Sequence, residues 1–172
     1  MVPGLIIAAP ASGSGKTTLT LGLLRHLRDQ GVAVASLKVG PDYIDPAFHA
    51  AASGRPCFNL DSWAMRRPTL EALLGAVSRE AEIVVCEGVM GLFDGAGPQA
   101  HGSTAELAAR LGWPVVLVID IAKQAGSAAA LLRGFAAHRP GVRIAGVVLN
   151  LVCVAVALSG VDTALVVSMN AQ

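Results

Sequence analysis

The run Pro10-Ala11-Ser12-Gly13-Ser14-Gly15-Lys16-Thr17-Thr18 puts one lysine and a series of hydroxyls at the end of a small-residue loop. An apolar stretch, Leu5-Ile6-Ile7-Ala8-Ala9, precedes it, and a segment with helical spacing, Leu19 to Leu27, follows. Strand, loop and helix in that order are the context a phosphate-binding loop requires. Successive loop amides form a concave nest for phosphate oxygens. The helix start adds unpaired N–H groups and about half a positive charge. Ser12, Gly13, Ser14, Gly15, Lys16, Thr17 and Thr18 are therefore the candidate nucleotide-binding residues. Lys16 would reach the terminal phosphates of ATP, and Thr17 would offer its hydroxyl to Mg2+. A Gly/Ser-rich turn that happens to hold a lysine is the alternative, and the order of the flanking segments counts against it. Pro10 stands where the generic pattern has its first glycine.

The remaining candidates cluster just past apolar runs: Lys38, Asp42, Asp45, Glu87, Asp94, Asp120 and Asn150. Roughly four negative charges on a triphosphate need an offset, and Lys16, Lys38, one Mg2+ and the helix dipole supply about four and a half. Mg2+ takes oxygen ligands, usually a hydroxyl and one or two carboxylates. Thr17 and Glu87 fit best, with Asp42 or Asp45 as the third ligand and the other Asp free to serve a second substrate. Glu87 directly follows an apolar strand, as the metal-binding acid of a P-loop enzyme does. Asp94 either orients a nucleophile or acceptor, or closes an ordinary Asp-Gly turn. His49 and His101 are expected to be solvated or capping, and Arg55, Arg66 and Arg67 to lie on a solvated face.

The elements that must position these groups follow from apolar periodicity. Strands are expected at Val32 to Leu37, Ile83 to Cys86, Val115 to Ile119 and Arg143 to Leu149, besides the one before the phosphate loop. Helices are expected at Leu19 to Asp29, from Pro68 to about Ser78, from Ser103 or Thr104 to Leu111, and from Ser127 to His138. Val39 to His49 reads as loop, and Asn59-Leu60-Asp61-Ser62 as a helix cap. Short apolar strands alternating with helices predict a doubly wound α/β fold with a mostly parallel sheet, whose ligands bind at the carboxyl ends of the strands. With 15% charged and 53% apolar residues, the composition suits a buried parallel sheet. A net charge of +1 argues against a nucleic-acid surface. The three cysteines, Cys57, Cys86 and Cys153, show no metal spacing, which favours a reduced, cytoplasmic setting. No basic residue precedes Lys16, so the basic region of a signal peptide is not seen.

Four stretches together are more specific than a bare phosphate loop: Ala8 to Thr18, Lys38-Val39-Gly40-Pro41-Asp42-Tyr43-Ile44-Asp45-Pro46, Glu87-Gly88-Val89-Met90-Gly91-Leu92-Phe93-Asp94-Gly95 and Gly102-Ser103-Thr104-Ala105-Glu106-Leu107-Ala108. Over residues 4 to 150 the chain closely resembles the cobyrinic acid a,c-diamide synthase family, relatives of dethiobiotin synthetase. Pro10 is itself a feature of that family. The resemblance implies an ATP- and Mg2+-dependent carbon–nitrogen ligase. Such an enzyme phosphorylates a side-chain carboxylate of cobyrinic or hydrogenobyrinic acid, and ammonia then displaces the phosphate. It implies Lys16, Lys38, Asp45 and Asp94 as catalytic residues, Thr17, Asp42 and Glu87 at the metal, and Asn150 near the adenine.

In that family glutamine supplies the ammonia through a C-terminal amidotransferase domain with a nucleophilic cysteine. None of the three cysteines here sits in a Gly-flanked elbow, so the chain resembles the synthetase half, residues 1–150. The expected partners are a corrin carboxylate, ammonia from a separate glutaminase domain, and a second copy of the chain, with neither nucleic acid nor membrane. Related carboxylate ligases of the nickel-tetrapyrrole or dethiobiotin type, and a partitioning-type ATPase switch, are the alternative readings. Where the family follows the position of Asn150 with Arg-Val-Gly, this chain has Leu151-Val152-Cys153. Residues 151–172 are therefore expected to be an atypical, β-prone, poorly ordered tail, as a truncated or frame-shifted reading would leave.

Overall fold

The computed structural model describes residues 2–150 and 165–168. Among the described residues, five helices alternate with the first six of seven strands. The strands are β1 (Gly4–Ala8), β2 (Val34–Val39), β3 (Cys57–Leu60), β4 (Ile83–Glu87), β5 (Val115–Asp120), β6 (Ile144–Asn150) and β7 (Leu165–Ser168). The helices are α1 (Lys16–Asp29), α2 (Asp45–Ser53), α3 (Arg67–Ser78), α4 (Thr104–Leu111) and α5 (Ser127–His138). The sheet order is β3-β2-β4-β1-β5-β6-β7. The pairs from β3 to β6 are parallel; β7 runs antiparallel to β6. The expected doubly wound α/β architecture is the one observed. The rest of the tail, residues 151–164 and 169–172, lies outside the described residues, and the expectation made for it with them.

Apolar runs become strands here because both faces of the sheet are covered. One face packs Ile6, Leu37, Val84, Leu117 and Val147 against Leu70 of α3, Leu107 of α4 and Ala128 of α5. The other packs Ile7, Val34, Val85 and Val118 against Leu24 of α1. All six residues of β2 are buried, including Ser36 and Lys38. β1 lies in the middle, where the connections reverse direction, and the loop after it therefore opens into the crevice typical of this topology.

Two segments correct the sequence reading. The stretch to His49 is not all loop: α2 begins at Asp45, with Pro46 in its first turn and Gly54 closing it at φ 74°. Proline is tolerated in a first turn because its missing N–H would have no helical partner there. Cys57–Leu60 is not a lead-in to a helix but the edge strand β3, in parallel register with Ser36–Val39 of β2. The turn-forming role falls instead to Asp61, whose Oδ1 accepts the amides of Trp63 and Ala64, both at 3.0 Å. The helix expected after Ser103 starts as foreseen. Ser103 Oγ accepts the Glu106 amide at 3.2 Å, and Glu106 Oε2 accepts the Gly102 amide at 2.7 Å, a variant of the reciprocal cap. No helix among the described residues is long and apolar enough to cross a membrane.

Candidate nucleotide site

The loop between β1 and α1 turns sharply twice, at Gly13 (φ 81°) and at Gly15 (φ 88°), which is the residue before the first helical one. Only glycine adopts this backbone without strain. At Gly15 a side chain is excluded twice over, since a Cβ there would lie 2.1 Å from Asn150 Nδ2. Asn150, at the end of β6, donates from Nδ2 to the Ser14 carbonyl at 2.9 Å and so ties the loop to the far side of the sheet. Gly15→Ala is therefore expected to cost about 1–3 kcal/mol of stability through backbone strain alone. It should also weaken nucleotide binding at least about tenfold. Urea unfolding and nucleotide titration check both; wild-type values would contradict this reading of the loop.

Lys16 opens α1 and is 8% exposed. Its ammonium donates to the Met90 carbonyl at 2.8 Å and to the Ala11 carbonyl at 3.3 Å. Among the described residues it forms no ion pair. Burial lowers its pKa below the ordinary lysine value, against the pull of Glu87. An ammonium kept dry and fed only by carbonyls is a site for an incoming anion.

Lys38 differs. It sits on β2 in register with Glu87 of β4 and is 3% exposed, so it is not a solvated strand cap. Its Nζ donates to Asp45 Oδ2 at 2.6 Å, to Glu87 Oε1 at 2.9 Å and to the Gly88 carbonyl at 3.4 Å. Burial lowers its pKa, but the Asp45 and Glu87 contacts outweigh that and raise it above the ordinary lysine value. Glu87, 1% exposed, is the hub of the site. Oε1 accepts from Thr17 Oγ1 at 2.6 Å as well as from Lys38, and Oε2 meets His49 Nε2 at 2.7 Å. Burial favours its protonated form; the His49, Thr17 and Lys38 contacts prevail and hold it below the usual carboxyl value.

The two aspartates separate. Asp45 Oδ2 lies 3.5 Å from Thr17 Oγ1 and contacts Lys38. Asp42 Oδ1 accepts the amides of Ile44 and Asp45 at 2.8 and 2.9 Å, and its Oδ2 is 3.9 Å from Lys38. Those bonds to the start of α2 engage Oδ1 of Asp42. Of the two acids expected at the metal or the second substrate, Asp45 is the one beside Thr17, and both line the same cavity. Asp94 is exposed, and its Oδ2 accepts the Gly91 amide at 2.9 Å in a turn.

Ser12, Gly13, Gly15, Lys16, Thr17 and Thr18 share with Lys38, Asp42, Asp45, Glu87 and Met90 the lining of one cavity of about 400 Å³. Ser14 is buried behind it, its hydroxyl on the Ala11 carbonyl. A second, more apolar cavity of about 460 Å³ continues past Gly15 and Thr18 to Asn150, between Leu19, Leu23, Val118 and Val148. The phosphate end and Asn150 thus border adjoining cavities. Thr17 Oγ1, Glu87 Oε1 and Asp45 Oδ2 are hard oxygen donors of the type Mg2+ selects. No cluster of three or more His, Cys, Asp and Glu side chains suited to a metal occurs among the described residues, so any fit rests on this mixed set.

His49 is the functional candidate that the sequence reading passed over. It is fully buried, not solvated. Its only sequence signal is the spacing of four from Asp45, which acquires meaning once the segment is helical. His101, Arg66 and Arg67 are exposed, Arg67 pairing with Glu71 at 2.6 Å.

Comparison with known proteins matches this arrangement. The chain is 57% identical over 147 residues to a hydrogenobyrinate a,c-diamide synthase of Rhizobium meliloti (strain 1021), covering 86% of this chain and 34% of that protein. It is 59% identical over 150 residues to the enzyme of the same name from Rhodobacter capsulatus, with the same coverages. The chain thus spans about a third of the length of these relatives. Among solved structures, chloroplast FtsY from Physcomitrella patens superposes with a TM-score of 0.59 at 20% identity, covering 87% of this chain and 50% of that one. That likeness shows the fold alone. Residues 5–158 match the family described as the CobQ/CobB/MinD/ParA nucleotide binding domain, and with the phosphate loop, the buried Lys38–Glu87 pair and the parallel sheet in place, the chain belongs to that family.

Proposed function

We propose that this chain is the ATP-binding synthetase portion of an enzyme that amidates the a and c side-chain carboxylates of hydrogenobyrinic acid. The observation that carries this reading is the 57–59% identity to hydrogenobyrinate a,c-diamide synthases over 86% of the chain. The pocket supports it. Its second wall comes from the residues around Lys38 to Asp45 and Glu87 to Met90, which leave room for a reacting group beside the phosphate loop.

In this reading the loop amides and Lys16 hold the terminal phosphates. Thr17, Glu87 and Asp45 would hold Mg2+, which when bound would neutralise phosphate charge. Lys38 keeps Asp45 and Glu87 turned toward the site and adds positive charge beside the transferred group. A substrate carboxylate oxygen attacks the terminal phosphorus of ATP, and the bond to the bridging oxygen breaks to leave ADP. The resulting acyl phosphate has the leaving group that a carboxylate lacks. Ammonia then attacks the acyl carbon, loses a proton, and expels inorganic phosphate to give the amide. The ammonia would come from glutamine through a domain outside this chain. Asp94, exposed in the turn after Gly91, would face the corrin side, and Asn150 would border the adenine.

Phosphate release from Mg-ATP, measured with excess ammonium chloride and with or without hydrogenobyrinic acid, tests the proposal. Stimulation of about tenfold or more by the acid is expected, the size of effect that about 1.4 kcal/mol of barrier difference produces. A rate indifferent to the acid would overturn it and favour a partitioning-type ATPase.

A further inference from the structure

The Glu87 carboxylate uses its two oxygens differently. Oε1 faces the cavity and takes Thr17 and Lys38, whereas Oε2 points the other way, to His49 Nε2 at 2.7 Å. The torsion about the last bond of a glutamate is broad and roughly two-fold, so bonds to Oε1 alone leave the carboxylate plane poorly fixed. Oε2 has no other partner among the described residues. Left bare at this depth it would carry the cost of an unsatisfied charged acceptor, which turning toward the Lys38 ammonium would relieve. That turn would draw Oε1 out of line with Thr17.

We propose that His49 is a positioning residue: its Nε2–H fixes Oε2 of Glu87 so that Oε1 stays aimed at Thr17 and the cation position, and Cys57 selects the ring form that does this. The inference rests on the reading that Glu87 serves a Mg-nucleotide site. Asp45 and His49 lie four apart on α2, on one face of the helix. One rigid turn therefore presents both the acid beside Thr17 and the ring that orients Glu87. On the far side of the ring, Cys57 Sγ lies 3.6 Å from His49 Nδ1. Burial pushes the Cys57 thiol up to about 11, so it keeps its hydrogen near neutrality, and in the proposed ring form that hydrogen goes to Nδ1 at 3.6 Å rather than to the Phe58 carbonyl at 4.0 Å. A ring that accepts at Nδ1 carries its proton at Nε2. The same logic orients metal-site ligands through their outer partners, whose loss typically costs about 10–100-fold in metal affinity.

Two substitutions separate donor position from bulk. The amide nitrogen of glutamine reaches about where Nε2 stands, and that of asparagine only about where Nδ1 stands. ATP affinity is measured with and without Mg2+ for each protein. For His49→Asn the gain from Mg2+ should fall about 10–100-fold, with metal-free ATP affinity within about threefold of wild type. For His49→Gln the gain should stay within about threefold of wild type. A full gain in His49→Asn, or an equal loss in both variants, overturns the proposal. Absence of any gain in the wild-type protein would instead sink the Mg-nucleotide reading. The metal-free wild-type protein then still decides the present one by long-range nitrogen–proton NMR of the ring. His49 should show its proton on Nε2 and a bare Nδ1; a ring with its proton on Nδ1 overturns the proposal.

Discussion

Glu87→Leu is expected to lower the free energy of unfolding by about 3–5 kcal/mol, the cost of removing one partner from a buried ion pair. Lys38 and His49 are both buried, and each would lose a carboxylate oxygen within 3 Å. Asp45 remains on Lys38 at 2.6 Å, which places the loss toward the lower end of that range. Against a total of about 5–15 kcal/mol for a domain, this is a large share. Glu87→Gln keeps an acceptor for Thr17 and Lys38 and should lose only about 1–3 kcal/mol. Urea midpoints of the three proteins at neutral pH check the ranking. A Glu87→Leu protein within about 0.5 kcal/mol of wild type, the usual span of surface changes, would contradict the burial argument.

The same carboxylate sets an acid limb. Its folded pKa lies below the ordinary 4.5, so its contribution is present above that value and fades as pH falls through the folded pKa. Wild-type stability should fall with acid below about pH 4.5, and Glu87→Leu should lack part of that slope. Lys38, raised above the ordinary 10.5, works in the opposite sense, and its contribution is lost only as pH climbs through its folded value.

Lys16→Met should move stability and binding in opposite directions. Lys16 is 8% exposed with only carbonyl partners, and its ammonium is disfavoured by burial. An apolar side chain of similar length removes that desolvated charge, and stability should hold or rise by about 1 kcal/mol. Nucleotide binding loses a charge-assisted phosphate contact of about 1.5–3 kcal/mol, a weakening of about 10–150-fold. Melting temperature and ATP titration on the same preparations read both. A variant that binds Mg-ATP as tightly as its parent would remove Lys16 from the phosphate site.

What the sequence made legible divides along physical lines. β1, β4, β5 and β6 are apolar runs because both sheet faces are covered, and α1, α4 and α5 carry clear apolar stripes or caps. β3 escaped notice because Cys57-Phe58-Asn59-Leu60 is short, lacks β-branched residues and lies at the sheet edge. α2 escaped because Asp45-Pro46 follows a chain of turn formers, so a helix start looked like more loop. Its Ala-rich body and the Gly54 stop were the available signals. Missing α2 also hid His49. The choice between Asp42 and Asp45 was open for the same reason: which acid caps the helix and which faces Thr17 depends on where the helix begins. The phosphate loop, Lys38 and Glu87 were legible because each sits at the end of an apolar strand in a topology that gathers strand ends at one edge.

The central claim, that this pocket transfers a phosphoryl group from ATP to a carboxylate, is tested most directly by oxygen labelling. Hydrogenobyrinic acid carrying oxygen-18 in its carboxylates is incubated with the chain, Mg-ATP and ammonium chloride. Attack by the carboxylate oxygen predicts one labelled oxygen in each inorganic phosphate released. Phosphate whose new oxygen comes from water would contradict the account.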